Sequence, residues 1–97
     1  MVTVGAADSH QRIARQVGAA LRRLRQKRRE TWRQVAAAAG IPPAALAAYE
    51  RGRQLPDLAT LGLLLAALSV TAEEFGRYLG PWGGAEPRVT FVIHIHR

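Results

Sequence analysis

Gly40-Ile41-Pro42-Pro43 is the strongest punctuation in this 97-residue chain. Glycine readily takes the left-handed conformation that closes a helix. Proline lacks the N–H and collides with the preceding turn, so it is accepted only where a helix opens. A helix arriving from the N-terminal side must stop at Gly40, and the next must begin at Pro42 or Pro43. Upstream, Thr31-Trp-Arg-Gln34 has capping-box spacing, with the Thr31 hydroxyl taking an orphan amide and Gln34 reaching back. The spacing therefore predicts a short helix from Trp32 to Ala39. A tight turn follows, then a second short helix ending at Glu50 or Arg51, stopped by Gly52.

Around this pair the remaining elements fall into place. From about His10 to Arg28, Ile13, Val17, Leu21 and Leu24 recur at helical spacing, with arginines on the other faces. Asp57 is a plausible N-cap for a fourth helix, Leu58 to Leu68. That helix is apolar on nearly every side, so it is expected to centre the fold or to form a subunit interface as well. Thr71-Ala-Glu-Glu74 is a second capping box and opens a fifth helix ending at Gly80. "GPWGGAEP" is turn chemistry. Beyond it the period changes to two: Val89, Phe91, Ile93 and Ile95 alternate with Thr90, Val92, His94 and His96. This is the one strand expected, and a lone strand leaves its ladder amides unpaired. A second copy of itself across a two-fold axis is the simplest partner. Three segments result: a flexible N-terminal arm over 1–9, a helical domain over 10–80, and a linker with a dimerisation strand over 81–97.

Charge is unevenly placed. Between His10 and Arg53 stand eleven Arg and Lys against Glu30 and Glu50, a net of +9; the remainder carries three against five, a net of −2. A field concentrated in one half is the footprint of a polyanion binder. There is no cysteine, which excludes disulfides and thiolate metal sites and suits a reducing compartment. No apolar run approaches the roughly 20 residues of a membrane span. "MVTVGAADSH" lacks the basic start and apolar stretch of a signal peptide. A cytoplasmic, nucleoid-associated protein is the expectation. No nucleophile–base set and no glycine-rich phosphate loop is present, so neither enzymatic activity nor a cofactor is expected. His94 and His96 share a face of the strand, and pairing about a dyad would gather four imidazoles. Without a nearby carboxylate or cysteine they are expected to be exposed edge residues and not metal ligands. Trp82 is expected to cap the core, with docking onto a neighbouring subunit as the alternative.

From Gly18 to Phe75 the chain resembles the Cro/CI-type, or XRE, helix-turn-helix family. "GAALRRLRQKR", "TWRQVAAAAGI", "LAAYERG", "LPDLATL" and "LLAALSVTAEEF" carry the resemblance, through their order and spacing. It implies an all-α, five-helix lambda-repressor-like domain, to which the C-terminal strand adds pairing across a homodimer. It implies that helix two lies on the DNA backbone while helix three enters the major groove. It also implies that Arg25 pairs structurally with Glu50. The implied core is Leu21, Leu24, Val35, Ala36, Ala39, Ile41, Leu46, Tyr49, Leu58, Leu61, Leu64, Leu68, Val70 and Phe75.

The departures from the family fall on the reading surface. Trp32 stands where the family often has a phosphate-gripping glutamine. Pro43, Ala44, Ala47 and Ala48 stand where polar side chains usually meet base edges, and none can make the bidentate bonds that separate bases. Arg29 replaces the usual glycine before helix two, and Glu30 the usual apolar residue. Three readings are open. One is a double-stranded-DNA binder relying on phosphate contacts and shape, with Arg22, Arg33, Arg51 and Arg53 on the backbone, the amides at the start of helix two helping, and Thr31 and Trp32 also on the DNA-binding face. Another is a protein-interaction module whose helix-turn-helix no longer reads DNA. A third takes base contacts from the N-terminal arm or from Arg51. The first fits a prokaryotic transcriptional regulator, a repressor acting as a homodimer. A toxin is a possible second partner if the protein is an antitoxin.

Overall fold

The computed structural model describes residues 4–79. They form five helices: α1 (Val4–Lys27), α2 (Trp32–Ala39), α3 (Pro43–Glu50), α4 (Leu58–Leu68) and α5 (Ala72–Leu79). No strand occurs among the described residues. The expected strand with Val89, Phe91, Ile93 and Ile95, its histidines, and Trp82 lie outside them. Helix one was expected to begin near His10 and instead begins at Val4, so Val4 to Ser9 continue the helix and are not a separate arm.

Local chemistry sets the helix starts. Gln34 N donates to Thr31 Oγ1 at 3.1 Å while Thr31 N donates to Gln34 Oε1 at 2.8 Å, a complete capping box. Glu74 and Thr71 repeat it at 3.0 and 3.1 Å. Asp57 accepts from Thr60 N at 2.8 Å and opens α4. Pro43 occupies the first turn of α3, where its missing N–H leaves no bond unmade.

The helix ends share one device. In each of α1 to α4 the chain closes in a paired 6→1 and 5→2 hydrogen-bond pattern around a residue with left-handed φ. For α1 these are Glu30 N to Arg25 O at 3.2 Å and Arg29 N to Gln26 O at 2.9 Å. The pivots are Arg29, Gly40, Gly52 and Ser69, with φ of 59°, 75°, 73° and 58°. Two are glycines and two are not, although the geometry is the same.

The core joins Val17, Ala20, Leu21 and Leu24 of α1 to Val35, Ala36 and Ala39 of α2, Leu46 of α3, Leu64, Leu65 and Leu68 of α4, and Phe75 and Leu79 of α5. Ile41, Tyr49, Leu61 and Val70 pack against it half-buried. Leu58 corrects the expected core: it is 85% exposed. The leucines of α4 populate every side of the helix, so their spacing cannot orient it. Leu61, Leu64, Leu65 and Leu68 turn inward, leaving Leu58, Ala59, Gly62, Leu63 and Ala66 on an outward face without a charge.

One contact fixes α3 relative to α1. Gly18 abuts the end of α3 so closely that a Cβ there would run into the carbonyl oxygen of Tyr49 and lie 2.9 Å from that of Glu50. The two backbones meet directly, without intervening side chains.

Candidate nucleic-acid interface

At the junction of α1, α2 and α3 a single carboxylate organises three side chains. Arg25 Nε donates to Glu50 Oε2 at 2.7 Å and Arg25 Nη2 to Glu50 Oε1 at 2.8 Å. Trp32 Nε1 donates to the same Oε1 at 2.9 Å. The third donor of Arg25, Nη1, reaches Glu30 O at 2.9 Å and so ties the end of α1 into the cluster. The Glu50 side chain is only 3% exposed. A buried carboxylate is tolerable when paired and hydrogen-bonded, and here both oxygens are used. The hydrogen bond to Glu50 and its negative charge together raise the Arg25 pKa above its ordinary value, against the opposing effect of burial. Among the described residues, no buried side-chain nitrogen or oxygen is left without a partner.

Trp32 therefore has a place that the sequence did not reveal. Its one donor points at Glu50, so the indole N–H is committed inside the protein and is not offered to a phosphate. The residue as a whole is 37% exposed. The guanidinium of Arg51 lies 5.3 Å from the ring centroid and that of Arg25 lies 5.8 Å away, within cation–π range. Arg22, Arg25, Trp32, Glu50 and Arg51 together line a notch of about 280 Å³.

The other expected site residues divide by exposure. Thr31 caps α2 and, like Arg33 beside it, is exposed. Arg22, Arg51 and Arg53 are exposed on α1 and after α3. Pro43 and Ala44 are exposed at the start of α3, and Ala48 is half-buried. Ala47 is a correction: at 7% exposure it belongs to the core side of α3. The outward stripe of this helix runs Ala44, Ala48, Arg51, at spacings of four and three.

A second groove, of about 380 Å³, lies between the first half of α1 and the loop after α3. His10, Gln11, Arg15, Arg51, Arg53 and Gln54 are among its lining residues, and none of the lining residues is acidic. Arg15 also packs on Gly52, where a Cβ would lie 2.7 Å from its Cγ. Its α1 residues lie inside the helix expected from His10, and the groove was hidden because its two walls come from segments distant in sequence. No single helix among the described residues is long and apolar enough to cross a membrane.

A family model described as helix-turn-helix matches residues 21–75, more than half of the chain, from the last turns of α1 to the first turn of α5. No match is found among curated proteins. The matched segment contains the Arg25–Glu50 pair, the capped α2 and the α3 stripe. The chain belongs to the Cro/CI-type, or XRE, helix-turn-helix family of DNA-binding proteins.

Proposed function

We propose that the protein is a transcriptional repressor that binds duplex DNA as a homodimer, holding the backbone mainly through arginine. The observation that carries this reading is the cationic rim around α2 and α3. Arg22, Arg33, Arg51 and Arg53 are all exposed, and none of the ion pairs among the described residues involves them. Glu50, which shares the notch with Arg22 and Arg51, is already engaged by Arg25 and Trp32. Arg33, in the first turn of α2, and the exposed Arg22 and Arg53 suit phosphates. The smooth front of α3, Pro43 and Ala44, lets that helix approach base edges without a bulky side chain in the way.

Two copies are proposed because the outward face of α4 is apolar. Leu58 and Leu63 are 85% and 52% exposed, an arrangement that favours association. The strand expected over Val89, Phe91, Ile93 and Ile95 would supply a second tie. Half-sites would then lie about one DNA turn, roughly 34 Å, apart. An antitoxin role, with a toxin bound to the same chain, is the narrower form of this proposal.

The test is an Arg33→Ala/Arg53→Ala double variant in a duplex-binding assay, with its helical circular dichroism checked first. Abolished binding in a folded variant is the expected result. Undiminished binding would point to a different face. A protein-interaction module remains the alternative reading, favoured by the same exposed Pro43–Ala44 surface; it requires a partner that survives this double substitution.

A further inference from the structure

We propose that Arg51 is the residue through which this protein reads a base, and that the base is guanine. The inference rests on α3 facing duplex DNA, as proposed above.

The outward stripe of α3 is Ala44, Ala48 and Arg51. Arg51 sits at the C-cap with φ −85° and ψ 0°, still right-handed, so the stripe continues through it. Only Arg51 on this stripe carries a hydrogen-bonding side chain. Two alanine methyls precede it, leaving nothing to hold the helix away from the groove floor.

Its surroundings orient it and leave its donors available. The guanidinium lies 5.3 Å from the Trp32 ring centroid. The adjacent carboxylate of Glu50 is engaged by Arg25 and Trp32, and Arg51 is not among its partners. Neither ion pair among the described residues includes Arg51. A planar fork held near an aromatic ring loses less freedom on binding than a free side chain does. Guanine presents N7 and O6 side by side in the major groove as two acceptors, which fits that fork; adenine pairs an acceptor with a donor. Arg22, Arg33 and Arg53 come from α1, α2 and the loop, off the stripe, and suit phosphates. Trp32 is then a positioning residue that acts through Arg51.

The test is selection of bound sites from a randomised duplex pool by the full chain, run in parallel for wild type, Arg51→Lys, Arg51→Ala, Arg53→Ala and Trp32→Phe. The wild type should fix one guanine per half-site. Arg51→Lys keeps the charge and loses the fork, so it should lose preference at that position by about 10- to 100-fold, the worth of one bidentate pair, with the other positions unchanged. Arg53→Ala should weaken all sequences alike, and Trp32→Phe, which keeps the ring, should retain the guanine. A consensus without guanine, or Arg51 variants that bind more weakly but keep the guanine, would overturn the assignment while leaving DNA binding intact. Failure of the wild type to retain any duplex would overturn the DNA reading and this inference together.

Discussion

Arg25 and Glu50 are joined by two parallel N–H···O bonds of 2.7 and 2.8 Å, linking the last turn of α1 to the last residue of α3. The Arg25 and Glu50 side chains are 14% and 3% exposed. Removing one partner leaves the other charged and largely dry. Arg25→Met and Glu50→Gln should each cost about 3–5 kcal/mol, and the double variant less than their sum. Urea denaturation of the four proteins checks this cycle. Trp32→Phe keeps the ring but loses a bond to a charged acceptor. With the indole partly exposed, its cost should sit at the low end for such bonds, about 1.5 kcal/mol.

Gly18 sets how closely α1 approaches α3. A methyl there meets backbone carbonyls of Tyr49 and Glu50, which cannot rotate away as a side chain end could. Gly18→Ala should destabilise the fold by about 1–3 kcal/mol, as overpacking does. It should also displace the helix that carries Ala44, Ala48 and Arg51. Thermal unfolding measures the first effect, and DNA affinity of the folded variant measures the second.

Arg29 occupies a left-handed position, φ 59°, at the end of α1. A Cβ there costs about 1–2 kcal/mol, partly offset by the flexibility that a glycine adds to the unfolded chain. Arg29→Gly should therefore stabilise the protein by about 0.5–1 kcal/mol, raising the urea midpoint without changing the slope. A lower midpoint would show that the Arg29 side chain contributes more than the strain removes.

Asp57 gives a pH signature. Hydrogen bonding by the Thr60 side chain, and then by the Thr60 backbone N–H, holds its carboxyl below the ordinary value of 3.8. A depressed folded pKa means that the stabilisation is present above the unfolded value and is lost as pH falls through the folded one. Asn caps a helix start without titrating. The difference in melting temperature between wild type and Asp57→Asn should thus be constant above pH 5 and shift against the wild type below about pH 4. A difference flat down to pH 2 would contradict the cap assignment.

Much of this fold was legible because helix ends are local chemistry. Thr31, Asp57 and Thr71 place a side-chain acceptor three residues before a free amide, and Pro43 can only open a helix. What was hidden depended on partners distant in sequence. Leu58 is exposed because the leucines of α4 mark every face, so nothing in their order says which one the core takes. Ala47 was read as outward because alanine fits either environment. Trp32 looked like a lost phosphate contact, since its true acceptor, Glu50, lies eighteen residues away. The start of α1 was misplaced because Gly5, Asp8 and Ser9 disfavour a helix locally, yet α1 runs through all three.

The central claim is that this is a duplex-DNA binder held by arginines on phosphate. Fluorescence anisotropy with random duplex and with the protein's own upstream region, across a salt series, tests it most directly. Arg22, Arg33 and Arg53 in each protomer of the proposed dimer would make six phosphate contacts, which predicts a slope of about −5 in log affinity against log salt. Affinity should fall about a thousand-fold between 50 and 200 mM salt, with the upstream fragment preferred. No binding to either duplex at low salt would contradict the account and turn attention to the Pro43–Ala44 face as a protein-binding surface.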